Sequence, residues 1–194
     1  IESKTILVSD PIDLAIDPQG SLAILSAAIS PIYHTNIKLT STEVALIEKY
    51  IPWTRLCTLD HFDFKDEVLS LTLLLSKYKS ELVLKKTASH LGKHVFMGKE
   101  ASDCEWKNLI NIVMKDPSAW VIQENLYSDK VNFTYLNDSV TEYIQKSSRY
   151  IFCPYIFGDN YGGSLIRIEK DENARVLVTP AVSNTGFAPV KLEV

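Results

Sequence analysis

Three short segments carry the side chains best suited to bind an anionic ligand. Lys85 and Lys86 end an apolar run, glycines bracket residues 92–98, and Gln123 and Glu124 end a later apolar run. Lysine ammonium groups neutralise phosphate charge, and glycines allow backbone N–H groups to approach phosphate oxygens. Polar groups at the end of the following strand suit the base of a nucleotide. The order of these segments therefore favours a site for a polyphosphate or a nucleotide.

The composition is that of an ordinary globular protein. The chain has 194 residues, with 46% hydrophobic and 23% charged residues, which is enough for one domain or a domain and a half with a real core. The formal net charge of -4 argues against nucleic acid as a partner, since nucleic-acid binders usually present a basic face. No apolar run reaches the length of a membrane span, so we expect no membrane partner.

The cysteines and histidines suggest no nucleophilic or zinc site. Cys57, Cys104 and Cys153 form neither a CxxC pair nor a zinc pattern, and free thiols in a reducing cytoplasm are the expected state. The first residue is Ile1 rather than methionine, which favours a processed product, an isolated domain or a fragment. An upstream domain or a second chain is therefore an expected partner.

The apolar spacing predicts mixed helices and strands. Helices are predicted over residues 20–29, 40–50, 65–78 and 102–115, the second and fourth of which open with capping boxes. Strands are predicted at residues 5–8, 82–84, 94–97, 119–123, 131–135, 149–157, 164–169 and 175–179. The predicted fold class is α+β, with a lead-in helical segment over residues 1–60 and mostly antiparallel sheets with packed helices over residues 61–194.

Several of these segments together resemble the circularly permuted ATP-grasp family. The segments that carry the resemblance are Ile51-Pro52-Trp53-Thr54-Arg55, Leu82-Val83-Leu84-Lys85, Gly92 through Gly98, Glu105-Trp106, Trp120-Val121-Ile122-Gln123-Glu124 and Tyr161-Gly162-Gly163-Ser164-Leu165-Ile166-Arg167. The last of these is similar to the Gly-Gly-x-x-x-Arg strand near the end of such domains. The likeness extends over most of the chain.

The resemblance implies an ATP-grasp-like fold in which ATP lies between two antiparallel sheets, with residues 61–194 as the nucleotide-binding region. It also implies ligase chemistry, in which ATP phosphorylates a carboxylate and an amine attacks the acyl phosphate. On this basis the cofactor-binding residues are Lys85, Gly92, Lys93, Gln123, Glu124 and Leu126. The catalytic residues are Arg167 and Arg55, which stabilise charge on the transferring phosphoryl group.

The resemblance further implies magnesium as a cofactor and a carboxylate and an amine, small or peptidic, as substrates. The metal ligands are unassigned, and much of the acidic set is expected upstream of this segment. Asp159 and Asn160 are candidates, although an Asp-Asn pair before two glycines also fits a turn. Lys86 stands where the family usually places proline.

Each site residue also has a structural interpretation. Lys85 suits a solvated strand edge, Gly92 a hairpin, and Gln123-Glu124 an exposed strand end. Arg55 suits the end of the preceding helix, and Arg167 suits a cross-strand ion pair with Glu172. Two functions therefore remain open: the ATP-binding portion of a carboxylate–amine ligase, and a non-catalytic binding or scaffolding domain with a degenerate ATP-grasp fold.

Overall fold

The computed structural model describes residues 19–89, 94–127, 129–136, 141–169 and 185–189. Four α-helices are present in these ranges: α1 (Gln19–Ala28), α2 (Ser41–Tyr50), α3 (Leu71–Lys77) and α4 (Asp103–Lys115). The strands are β1 (Thr54–Leu56), β2 (Phe62–Phe64), β3 (Glu67–Leu69), β4 (Leu82–Lys86), β5 (Val95–Met97), β6 (Trp120–Glu124), β7 (Lys130–Leu136), β8 (Tyr143–Phe157), β9 (Asn160–Glu169) and β10 (Thr185–Pro189). The predicted strands at residues 5–8 and 175–179 lie outside the described residues.

The chain divides into two compact units. The first comprises Ile1–His90 and His94–Leu126, and the second comprises Leu91–Lys93 and Tyr127–Val194. The first unit therefore holds both the predicted lead-in segment and the start of the predicted nucleotide-binding region. All pairings among the described strands are antiparallel, which confirms the α+β class with antiparallel sheets.

The sheet of the first unit has the strand order β1-β6-β4-β5. Strand β6 is central, with Gln123 opposite Thr54 of β1 and opposite Val83 of β4. Alternate residues of β4 and β6 point to opposite faces. One face carries Leu84 and Ile122, both fully buried in the hydrophobic core. The other face carries Lys85 and Gln123, so the same pair of strands builds the core and presents polar side chains.

Helix α4 forms as its sequence predicts. Ser102 accepts from the backbone N–H of Glu105, and the Glu105 carboxylate accepts from the backbone N–H of Ser102 at 2.8 Å, the reciprocal pairs of a capping box. The Trp106 indole Nε1 donates to the Leu75 carbonyl at 2.8 Å. The core face of α4 consists of Trp106, Leu109 and Val113, with Ile110 partly buried beside them. Their spacing places these side chains on one face of the helix.

The predicted helix over residues 65–78 is wrong in its first half. Strands β2 and β3 form a hairpin there, and α3 begins only at Leu71, after Ser70 accepts from the Leu73 N–H at 3.4 Å. Lys65 and Asp66 have φ angles of 49° and 63°, which suit a two-residue hairpin turn and exclude a helix. The apolar spacing of residues 68–78 hid this turn, because Val68 fits a helical period although it lies on a strand.

The sheet of the second unit has the strand order β10-β9-β8-β7. The 15-residue strand β8 pairs with β7 through residues 143–149 and with β9 through residues 150–157. The β8–β9 turn follows Phe157, where Gly158 adopts a φ of 59° that favours glycine. The turn consists of Gly158 and Asp159, so it begins one residue before the Asp159-Asn160 pair for which a turn was considered. Arg167 lies on β9, between Ile151 of β8 and Phe187 of β10.

Candidate functional site

Lys85 and Gln123 meet on one face of the first sheet. Lys85 is opposite Val121 in the β4–β6 register, and Gln123 lies two residues further along β6 on the same face. The Lys85 ammonium donates a hydrogen bond to Oε1 of Gln123. Burial lowers the pKa of the Lys85 ammonium below its ordinary value, because a charged group loses hydration when it is buried. The sheet thus holds a cation in a place that favours its neutral form.

A neighbouring strand fixes the orientation of the Gln123 amide. Nε2 of Gln123 donates to Oγ1 of Thr54 at 2.9 Å, and the Thr54 hydroxyl donates to the Pro52 carbonyl at 2.8 Å. Gln123 is only 7% exposed, so both ends of its amide are engaged within the protein. Its oxygen is therefore aimed at Lys85. Gln123 is therefore a buried residue that orients the Lys85 ammonium, and it is not an exposed strand end.

The residues that follow Gln123 leave the sheet. The backbone N–H of Glu124 donates to the Trp53 carbonyl at 2.9 Å, and that of Asn125 donates to the Glu81 carbonyl at 2.8 Å. The Glu124 side chain is partly buried, whereas the Leu126 side chain is 62% exposed. Backbone hydrogen bonds thus fix Glu124 and Asn125 directly after the Lys85–Gln123 pair, and the Leu126 side chain that follows is exposed.

The predicted phosphate loop is described only at its end. Gly92 and Lys93 lie outside the described residues. Gly98 closes the segment with its N–H donating to the Leu82 carbonyl at 2.9 Å. A Cβ at this position would lie 1.8 Å from the backbone oxygen of Lys79, so the close approach of two backbones requires glycine here. Packing of the chain accounts for Gly98 without any ligand.

Arg55 is the centre of a buried polar network, which we call the Arg55 network: Arg55, Asp63, Ser26 and Ser30. Nε and Nη2 of Arg55 donate to Oδ1 and Oδ2 of Asp63, each at 2.8 Å. Nη1 donates to the Ser26 hydroxyl at 2.8 Å and to the Thr54 carbonyl at 2.9 Å. Ser30 donates to Oδ2 of Asp63 at 2.6 Å. The network joins α1, β1 and β2.

Two aromatic rings complete the surroundings of Arg55. The guanidinium carbon lies 5.1 Å from the centre of the Tyr33 ring and 5.0 Å from that of the Trp53 ring. Arg55 is 2% exposed, and all three of its nitrogens donate hydrogen bonds. Its planar donors and its stacking match the geometry for which arginine is suited. Through these contacts Arg55 fixes the edge strand β1 to its neighbours.

The charge of Arg55 controls the ionisation of Asp63. Burial raises the pKa of Asp63, but hydrogen bonds from Arg55 and Ser30, together with the charge of Arg55, outweigh burial and hold the pKa below its ordinary value. Burial and the negative charge of Asp63 raise the pKa of the Tyr33 hydroxyl, which donates to the His61 carbonyl at 2.8 Å. The Asp63 carboxylate therefore stays ionised at neutral pH.

Arg167 lies in the second unit, whereas the other described site residues lie in the first. Its Nε is buried, and no hydrogen-bond partner for that atom is found in the part of the chain that the structure describes. Glu172, the predicted ion-pair partner, lies outside the described residues. Arg167 is thus a partly buried cation with an unsatisfied donor on β9.

The acidic candidates for a metal do not cluster. Asp159 and Asn160 are exposed at the β8–β9 turn, and the described ranges contain no group of three or more His, Cys, Asp or Glu side chains that could hold a metal ion. These residues do not fit a magnesium site. Burial raises the pKa of the Cys57 thiol to about 12, so this cysteine is unsuited to nucleophilic chemistry.

The sequence prediction missed the residues that support this site. Thr54 was noted only as part of a family-like segment. Ser26 carried no signal, since it is a common polar residue 28 and 29 positions from its partners Thr54 and Arg55. Asp63 is only 8 positions from Arg55, but no strand was predicted there. The alternation of Phe62, Asp63 and Phe64 around a polar centre is the one pattern that could have indicated a strand with an inward carboxylate.

No protein-family model matches this chain, and no curated protein matches it. None of the helices in the described ranges has the length and apolar character that a membrane span requires.

Proposed function

We propose that this chain is the ATP-binding portion of an ATP-dependent carboxylate–amine ligase that acts through an acyl phosphate. The observation that carries the proposal is the Lys85–Gln123 pair. A lysine whose pKa is lowered by burial is held by an oriented amide at the end of a sheet face. An ammonium has three N–H donors, and Gln123 accepts one of them. A bound phosphate would accept the others and restore the charge balance that burial disturbs.

The proposed roles of Lys85, Gln123 and the segment after Gln123 follow from their positions on β4 and β6. Lys85 binds the α- and β-phosphates, and Gln123 orients Lys85. The segment from Glu124 to Leu126 meets the adenine and ribose, because it follows the pair directly. Arg167, whose Nε is buried without a described partner, lies in the second unit, and only the family resemblance gives it the role of neutralising the transferring phosphoryl group. By the family resemblance, the loop with Gly92 and Lys93 covers the phosphates.

Arg55 has an indirect role in this proposal. Its nitrogens are engaged with Asp63, Ser26 and Thr54, so it acts on the site by fixing β1. Thr54, the neighbour of Arg55 on that strand, orients the Gln123 amide. We therefore propose that Arg55 is a positioning residue rather than a group that touches the phosphoryl oxygens.

The proposed reaction balances in two steps. A carboxylate oxygen attacks the γ-phosphorus, the bond between this phosphorus and the β,γ-bridging oxygen breaks, and ADP leaves. An amine then attacks the acyl carbon, phosphate leaves, and the amine loses a proton as the amide forms. Magnesium would neutralise phosphate charge when bound, but the acidic side chains of the described residues form no group that fits it. The three free thiols fit the reducing cytoplasm in which we place the reaction.

Calorimetric titration with ATP, with and without magnesium, tests the proposal. We expect saturable heat and a rise in the melting temperature, because a ligand that binds only the folded state stabilises it. Neither heat nor a thermal shift in either condition would contradict nucleotide binding. A screen of carboxylates and amines for ADP release then tests the ligase step.

A second function is favoured by one observation. The described residues contain no cluster of acidic side chains that fits a metal ion. This suits a binding or scaffolding domain with a degenerate ATP-grasp fold and no ligase activity. Binding of ATP without ADP release, with every carboxylate and amine tested, would favour this alternative.

A further inference from the structure

The surroundings of Lys85 on its face of the first sheet are apolar. In the strand register Lys85 lies between Val95 of β5 and Val121 of β6, and Val83, two residues earlier on β4, points to the same face. Val83 is 4% exposed and Val121 is fully buried. Lys85 itself is only partly buried, so a small molecule can reach an amine that stands among valines.

No charged side chain faces Lys85 from α1 or from the described strands of this sheet. Helix α1 and strand β5 contain no titratable residues. The other charged residues of β1, β4 and β6 are Arg55, Lys86 and Glu124, and strand alternation turns all three to the opposite face. Burial alone therefore lowers the pKa of Lys85, with no contribution from a neighbouring charge.

The hydrogen-bond partner of Lys85 is neutral. Lys65 and Lys77 each pair with a glutamate, and hydrogen bonds to these carboxylates raise the pKa of both lysines. Lys85 donates instead to Oε1 of Gln123, which stays turned towards it because Nε2 is held by Thr54. An ammonium has three N–H donors, and in the part of the chain that the structure describes only this one acceptor meets them.

We propose that Lys85 forms an imine with an aldehyde ligand. The neutral Nζ attacks the carbonyl carbon, both amine hydrogens leave with the carbonyl oxygen as water, and a C=N bond remains. An amine in apolar surroundings is activated for this reaction, because burial favours its neutral form. A protonated imine carries a single N–H, which Oε1 of Gln123 can accept, so the product suits a site with one acceptor better than the ammonium does.

Labelling with two aldehydes, pyridoxal and pyridoxal 5′-phosphate, tests the inference on the full chain. Cyanoborohydride reduces each imine to a stable secondary amine, and peptide mass mapping locates it. At pH 7 both aldehydes should label Lys85 several times faster than Lys65, Lys77 or Lys86, because more of its amine is neutral. Lys86→Met, which changes the opposite face of β4, should leave the labelling of Lys85 unchanged.

Two substitutions of Gln123 should change this rate differently. Gln123→Glu replaces the neutral acceptor with a carboxylate, which stabilises the ammonium, so the labelling of Lys85 at pH 7 should slow about tenfold or more. Gln123→Met removes the acceptor without adding charge, so the labelling should be at least as fast as in the wild type. A disturbed fold would expose Lys85 and slow its labelling in both variants, which separates the chemical effect from a structural one.

Equal labelling of Lys85 and Lys86 by both aldehydes would overturn the inference, and so would slower labelling of Lys85 in Gln123→Met. A preference for Lys85 that appears only with pyridoxal 5′-phosphate would also overturn it, because the phosphate group rather than the amine would then cause the preference. The labelling uses no nucleotide. Absence of ATP binding would therefore refute the proposed function and leave this inference standing.

Discussion

Replacing Asp63 with asparagine should strongly destabilise the first unit. Asp63 accepts two hydrogen bonds of 2.8 Å from Arg55, which is 2% exposed. Removing one partner of a buried ion pair costs about 3–5 kcal/mol, because the other charge stays buried without compensation. The Asp63 side chain is 24% exposed, so water can partly replace it. We therefore expect a loss near the lower end, about 3 kcal/mol.

Urea unfolding at pH 7 measures this loss, and Asp60→Asn is the matched control. Asp60 is exposed and lies on the connection that leads into the β2–β3 hairpin, so its change should stay within about 0.5 kcal/mol. Equal effects of the two substitutions would refute the reasoning, since the Arg55 network would then contribute no more than a surface charge.

The pH dependence provides a second check on Asp63. Its pKa is lowered in the folded state, so its contribution is fully present above the unfolded value of about 3.9 and is lost as the pH falls through the folded pKa. The difference in stability between the wild type and Asp63→Asn should therefore shrink at a pH below about 4. A difference that stays constant down to pH 2 would show that the loss is not ionic.

Two further predictions concern stability. Lys85→Met should raise the free energy of unfolding by about 1 kcal/mol at pH 7, because burial lowers the pKa of Lys85 and the buried ammonium therefore opposes folding. This gain in stability should disappear as the pH rises towards the pKa of an unfolded lysine, about 10.4. A loss of stability of Lys85→Met in urea unfolding at pH 7 would contradict the prediction. Asp66 has a φ of 63°, which glycine adopts more easily than alanine. Asp66→Gly should therefore stabilise the β2–β3 turn and Asp66→Ala should destabilise it, each by about 0.5–1 kcal/mol. A higher melting temperature for Asp66→Ala than for Asp66→Gly would contradict this.

Local signals predicted much of the first unit. The capping boxes at Thr40 and Ser102 are present as expected, because their hydrogen bonds lie within one helical turn. The predicted strands around Leu84 and Ile122 are confirmed, since both were marked by short apolar runs between turn residues. Such elements depend on neighbours in sequence and are therefore accessible to pattern arguments.

The strands β1 and β2 were not predicted, although they hold Thr54, Arg55 and Asp63, the residues that position the site. Each has only three residues, so a single alternation is the most that could mark it. Their value comes from distant partners: Thr54 meets Gln123 across 69 positions, and Arg55 meets Ser26 across 29. A buried arginine also contradicts its usual exposure, and only the converging carboxylate and hydroxyls explain its place. The predicted contact of Lys85 with ATP stays a prediction.

We propose that Lys85 binds the phosphates of ATP, and Lys86, the next residue of the strand, provides a control. Lys86 points to the opposite face of β4, where its ammonium lies 5.7 Å from the centre of the Trp120 ring. Parallel calorimetric titrations of ATP with magnesium into Lys85→Met and Lys86→Met compare two lysines of one strand. We expect a loss of about 1.5–3 kcal/mol in binding free energy for Lys85→Met and wild-type affinity for Lys86→Met. Equal affinities of both variants and the wild type would contradict it.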